Sequence, residues 1–293
     1  MSDERRDAAT RRARFRDALG GDVVVYPAPV HDAISARIAE MLGFSLAFTA
    51  GSVSAASELC VPADTMLLTA TEVAVQVRRI TRASGLSLMV VAEDGYGNAL
   101  NVMRTVEALE DAGAAAIVLE DSAPPAFGTG EMDRMVSLDE ALGKLTAALA
   151  ARRDPSLVIV GRTVALKLPA GIPEAVRRVR AFERVGADAI FLSGHTTSEA
   201  IEAVHAATSL PLMVSRQSVQ VDDPEFLAAN GVRVASAGHL SLWASVQAVH
   251  DALRALRDGK TQSELRPSVA SPELMADVTR QAQYTGWIDA YLN

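Results

Sequence analysis

Eight short apolar runs recur along the chain, at residues 23–26, 46–49, 86–92, 116–120, 157–162, 189–193, 211–215 and 232–236. Each is nearly continuous in its apolar character rather than alternating, the pattern of parallel strands buried on both faces. Amphipathic stretches of roughly 12–18 residues with helical spacing separate them. Several of these stretches close in the same way: Gly43, Gly113, Gly186 and Gly231 end a helical segment and a strand run follows within a few residues. Glycine after a helix supplies the left-handed turn that stops it. Ser137, with Glu140 three residues on, opens a helix as a capping box. Eight strand–helix units predict an α/β fold, a (β/α)8 barrel, with a doubly wound sheet as the alternative.

No Ser/Gly/Pro-rich linker divides the chain, so residues 1–293 are expected to form a single barrel domain. Within it, an N-terminal helix is expected over 1–20 and a helical extension over 260–293. In the extension, Ser271, Pro272 and Glu273 make a good helix start. Trp287, Tyr291 and Leu292 give it apolar surface to bury on a neighbouring subunit or across the barrel.

Composition narrows the function classes. The charged residues, 28 Lys+Arg against 36 Asp+Glu, leave a formal charge of −8, which argues against nucleic acid or an anionic membrane as partner. No apolar run approaches the roughly 18–20 residues that span a bilayer. One cysteine, Cys60, allows neither an internal disulfide nor a cysteine-cluster metal site. The N-terminal stretch carries charges where a signal peptide has its apolar segment. Together these give the expectation of a cytoplasmic protein.

In a barrel of this kind the chemistry sits at the C-terminal strand ends. Glu93 and Asp94 follow the third run, Glu120 and Asp121 end the fourth, and Arg162 ends the fifth. Ser193, Arg216 and His239 stand at the last three. Carboxylates on two neighbouring strands, with Arg162 and His239 elsewhere on the rim, suit a divalent cation and an anionic substrate. A guanidinium inside an apolar strand needs an anionic partner, either a neighbouring carboxylate or a ligand. The segment GYGN reads as a tight turn into a helix. His195, His205 and His250 read as surface residues, and Cys60 as a small apolar filler in the loop after the second run.

The segments YPAPVHDAISARIAEMLGF, TAGSVSAAS, PADTMLLTATEV, EDGYGNALNVMRTVEALEDAGAAAIVLED and VGRT occur in a collinear order. The chain in this respect resembles the isocitrate lyase/phosphoenolpyruvate mutase superfamily, and GYGNALNVMRTVEALEDAG looks most like its oxaloacetate decarboxylase branch. The resemblance covers about Phe15 to Gly259. It implies a (β/α)8 barrel whose eighth helix is exchanged between paired subunits, a homo-oligomer (dimer or tetramer), and Mg2+-dependent chemistry on a small anionic 2-oxo acid through an enolate. Residue by residue, it implies that Gly51 and Ser52 bind the substrate's carbonyl side. Asp64, Glu93 and Glu120 match acidic positions at the metal, Arg162 the arginine for substrate carboxylate, and His239 a histidine at the last strand end.

The chain also departs from that pattern. The first carboxylate of the family's Asp-x-Asp pair is here Val91, and polar positions after the Arg-Thr pair are Val164 and Leu166. The lyases' Lys-Lys-Cys-Gly-His loop is replaced by PPAFGTG at 124–130, which argues against isocitrate or methylisocitrate cleavage. Val91 and Glu93 share one strand face, and Mg2+ needs only one or two carboxylates besides water and substrate oxygens. Two alternatives remain at this point. One is a weakened Mg2+ site serving a carbon–carbon lyase, with oxaloacetate as lead substrate. The other drops the metal, with Arg162, His239, Arg216 and Lys167 binding another anion, either in a divergent enzyme or in a non-catalytic metabolite-binding oligomer. For Arg216 and Lys167, ordinary surface salt bridges are the competing expectation.

Overall fold

The computed structural model describes residues 7–62, 65–123, 134–169, 171–216, 219 and 222–292. Eight parallel strands form one sheet in sequence order. They are β1 (Ala28–Pro29), β2 (Leu46–Thr49), β3 (Ser87–Val91), β4 (Ala116–Glu120), β5 (Val158–Leu166), β6 (Ala189–Gly194), β7 (Leu212–Ser215) and β8 (Val232–Ser236). The predicted first strand is the one that differs. Val25 pairs in parallel with Val234 of β8, while Ala28 and Pro29 pair with Ala47 and Phe48 of β2. Pro27 and Pro29 have no N–H to give, so the segment cannot run as one regular strand. It bends instead, and its two halves join β8 to β2. That pairing closes the barrel.

Helices alternate with the strands: α1 (Ala8–Gly20), α2 (Ala33–Met41), α3 (Gly51–Leu59), α4 (Ala70–Ala83), α5 (Ala99–Asp111), α6 (Leu138–Ala151), α7 (Gly171–Val185), α8 (Ser198–His205), α9 (Pro224–Ala229) and α10 (Leu240–Arg257). Beyond them lie α11 (Gln262–Leu265), α12 (Pro272–Val278) and α13 (Gln281–Tyr291). Their starts follow local chemistry. Asn98 caps α5 by accepting from the N–H groups of Leu100 and Asn101, and Ser137 caps α6 by accepting from Glu140 N–H. Cys60 is exposed, in the left-handed residue that stops α3. It fills no gap in the core, which corrects the sequence expectation.

Alternation along the strands builds two cores. Leu88 and Val90 point outward against the helices, whereas Met89 and Val91 point into the barrel with Val118, Val160, Phe191, Met213 and Val234. Helix α1 closes the N-terminal end of the barrel. Phe15 and Leu19 are buried in the same inner cluster. Arg11 donates to Thr81 O (2.9 Å), and Arg12 donates to Glu110 O (3.2 Å) and pairs with Asp154. With one end plugged, access to the interior is left to the C-terminal strand ends.

Candidate active site

Two residues beyond the apolar inner layer, the inward positions become polar. Glu120 follows Val118, Arg162 follows Val160, Ser193 follows Phe191, Ser215 follows Met213 and Ser236 follows Val234. These five line a cavity of about 280 Å3 at the C-terminal strand ends, floored by Phe48, Val91 and Phe191. Gly51, Ser52, Glu93, Lys167 and His239 complete its wall. Six of the sequence-derived candidates are therefore brought together: Gly51, Ser52, Glu93, Glu120, Arg162 and His239. Asp64 and the 124–130 loop lie outside the described residues.

Register places Arg162 directly across from Glu120 on β4 and Phe191 on β6. Its Nε lies 3.1 Å from Glu120 Oε2. The approach is an ion pair in distance but is not aligned as a hydrogen bond, so this buried Nε–H has no hydrogen-bond acceptor among the described residues. Nη2 donates to Ser193 Oγ at 3.2 Å. The guanidinium carbon stands 5.2 Å from the Phe191 ring centroid, a cation–π geometry that holds its plane. Ser122 donates its hydroxyl to Glu120 Oε1, so each Glu120 oxygen already has a cationic or hydroxyl neighbour.

Glu93 leaves β3 with φ +49°, and its C=O remains tied to the next strand, accepting from Glu120 N–H at 2.9 Å. A left-handed non-glycine residue costs on the order of 1 kcal/mol or more. That backbone turns the Glu93 side chain across to the start of α3, where it occupies the space a side chain on Gly51 would take. On the same helix turn, Ser52 Oγ lies 3.2 Å from His239 Nε2, and the His239 ring sits 5.6 Å from the Phe48 ring. His239 itself is the residue preceding α10.

Asp94 and Asp121 serve the scaffold. Asp94 pairs with buried Lys144 at 3.1 Å and accepts from Tyr96 N–H at 2.9 Å. Asp121 accepts from Val164 N–H at 2.9 Å and pairs with Arg178 at 3.0 Å; burial outweighs these partners and raises its carboxyl above the ordinary range. Arg216 stands apart from the cavity. Ser215 takes the inward position, so Arg216 turns away, pairs with Asp222 and stacks 5.0 Å from the Tyr26 ring centroid. Lys167 lines the cavity.

Tyr96 escaped the sequence reading, which took GYGN as a turn. Its hydroxyl is buried with no hydrogen-bond partner among the described residues. Burial first, and then the charges of Glu93, Asp94 and Glu120, raise its pKa far above the usual phenol value. The tyrosine is thus held neutral beside the carboxylates. Nothing in local sequence spacing signals a buried phenol.

The phosphoenolpyruvate phosphomutase family model matches residues 15–257, most of the chain. The chain belongs to the phosphoenolpyruvate phosphomutase family. Oxaloacetate decarboxylase from Bradyrhizobium diazoefficiens is 45% identical over 275 residues, covering 94% of each chain. Among solved structures of the family's fold, oxaloacetate acetylhydrolase with the inhibitor 3,3-difluorooxaloacetate superposes with a TM-score of 0.83, at 26% identity over 96% of this chain and 97% of that one. Phosphonopyruvate hydrolase with oxalate and Mg2+ gives 0.84 at 29% identity, covering 97% and 99%. The phosphomutase family match fits the barrel and the acidic, arginine-bearing cavity described above.

Proposed function

We propose that this protein is a carbon–carbon lyase that decarboxylates a small 2-oxo acid, with oxaloacetate as lead substrate. The observation that carries the reading is Arg162: a half-buried guanidinium in the cavity wall beside an apolar floor, paired with Glu120 at 3.1 Å yet with an Nε–H that no described residue accepts as a hydrogen bond. The relatives named for oxaloacetate chemistry support the substrate class. The reading takes residues 1–293 as one barrel domain, in the cytoplasm.

In this mechanism Arg162 binds the C1 carboxylate, held in plane by Phe191 and Ser193. Ser52 and the first N–H groups of α3 face the C2 oxygen, where negative charge develops. The C3–C4 bond breaks, CO2 leaves, and the electron pair moves into the C2 carbonyl to form the pyruvate enolate. His239, oriented by Ser52, then delivers a proton to C3. Two hard carboxylates in one cavity, Glu93 and Glu120, fit Mg2+, and Asp64 is assigned with them; Val91 withholds a further ligand. When bound, that ion supplies Lewis-acid polarisation of the 2-oxo group.

The test is formation of pyruvate and CO2 from oxaloacetate by EDTA-treated and Mg2+-replete protein, compared with Arg162→Ala. Loss of a charge-assisted contact predicts a fall in kcat/KM of roughly 10- to 150-fold with the fold retained. Oxaloacetate decay no faster than without protein, or unchanged kinetics in folded Arg162→Ala, overturns the reading. A second reading keeps the cavity and its anion but dispenses with metal. Val91 in the cavity floor favours it, and the two diverge in a Mg2+ titration.

The proposal includes a homo-oligomer. On α10, Leu240, Trp243, Val246, Val249, Leu253 and Leu256 are all exposed, and Leu242 is its one buried residue. Their spacing of three or four makes a continuous apolar stripe. A helix of 18 residues with so little contact to its own barrel is suited to packing against a second copy.

A further inference from the structure

We propose that Lys167 is a substrate-recognition residue that binds the far carboxylate of a diacid whose near carboxylate is held by Arg162. This rests on the reading above, that the cavity receives a 2-oxo acid. It goes further in naming what makes the site select a dicarboxylate.

The placement of Lys167 is built into the barrel. Strand β5 runs nine residues, and its pairing with β6 shifts register between Thr163 and Leu166. Leu166 then faces Gly194, and the chain turns with Lys167 N–H donating to Val164 O at 2.9 Å. Gly194 has φ +111°, and a Cβ there would lie 2.7 Å from both the backbone N and Cγ of Lys167. The missing side chain is what lets Lys167 and its stem sit against β6 at the cavity mouth.

Arg162 lies level with Phe191 on β6, and Lys167 lies just beyond Gly194. Three residues of strand separate those levels, about 10 Å at some 3.3 Å per residue. Both residues line the same cavity. One cation is therefore deep and the other is near the mouth, and the lysine's four-carbon stem can reach back toward the first. Glu120 already offsets part of the Arg162 charge. A short acid whose carboxylate or carboxylates stay at the deep end is served by Arg162 alone, whereas a four-carbon diacid also spans to the second cation. Lysine, a flexible point charge with three donors, suits a carboxylate that must be held on binding and released once it leaves as neutral CO2.

Calorimetry on the full chain with Mg2+ present, using two probes, tests this. One is 3,3-difluorooxaloacetate, a four-carbon diacid. The other is oxalate, whose adjacent carboxylates stay at the Arg162 end. Lys167→Met keeps the stem and removes the charge. It is expected to weaken difluorooxaloacetate about 10-fold, a value near the low end for a charge-assisted contact because Lys167 is exposed, and to leave oxalate within about twofold. Lys167→Arg should restore most of the diacid affinity. In turnover, Lys167→Met should raise KM for oxaloacetate more than it lowers kcat. Equal weakening of both probes, or of neither, overturns the assignment and leaves the proposed function standing. A wild-type protein that binds neither probe removes the 2-oxo acid reading itself, and the role of Lys167 with it.

Discussion

The Glu93 carboxylate lies where a side chain on residue 51 would be: a Cβ on Gly51 would come within 1.4 Å of Glu93 Oε1. The glycine at the first turn of α3 and the acid after β3 are therefore one unit, although 42 residues separate them in sequence (93 − 51). Gly51→Ala should push the carboxylate out of the cavity wall while leaving helix α3 intact, since alanine is the better helix former. A displacement of about 1 Å at a reacting site costs on the order of 100-fold in rate. Oxaloacetate turnover, read alongside the circular dichroism spectrum, checks this. Unchanged turnover in a folded variant would show that the position of Glu93 is immaterial.

Val91 separates the two readings of the site by the sign of a single substitution. Val91→Asp places a carboxylate in the cavity floor on the same side as Glu93. With metal in use, calorimetric Mg2+ affinity and decarboxylation both rise. In a site that works without metal, the new charge has no cation, so it lowers Tm and repels the anionic ligand. No measurable Mg2+ binding to the wild type, with oxalate present, would decide for the metal-free site.

The α10 stripe predicts assembly. Trp243 is 56% exposed in the single chain, a large apolar surface to leave in water. Light scattering at micromolar concentration should give a dimer or tetramer. Trp243→Glu with Val246→Glu should shift it toward monomer. A monomeric wild type would contradict the proposal.

Asp154 links acid stability to the plug under the barrel. Hydrogen bonds from the Ser156 hydroxyl and N–H, and then from Arg12, hold its carboxyl down at about 2, against an ordinary 3.8. A depressed folded-state pKa stabilises the fold above the unfolded value, and that stability is lost as pH falls from about 4 to about 2. Because the side chain is a third exposed, the effect discounts to about 1 kcal/mol. Urea midpoints measured from pH 5 to pH 2 should fall less steeply in Asp154→Asn than in the wild type. Parallel curves would assign the acid sensitivity to other carboxylates.

Seven of the eight predicted strands fall where the apolar runs put them, within a few residues, and all eight units join one barrel sheet. Apolar periodicity and the glycine stops act within a window of a few residues, so sequence alone carries them. The family was legible for a related reason: its motifs are contiguous segments. The first strand was not, because its two halves pair with different partners and only barrel closure decides which. The cavity divides in the same way. That Glu120, Arg162 and Ser193 face inward follows from alternation along each strand. That Arg216 turns out to Asp222 follows from the same parity, but only once Ser215 is known to point in. Tertiary structure alone decided that Glu93 lies in the space left by Gly51, that the Tyr96 hydroxyl is buried among carboxylates, and that a register shift beside Gly194 carries Lys167 to the cavity mouth. Each depends on the approach of segments distant in sequence, and no local pattern encodes such an approach.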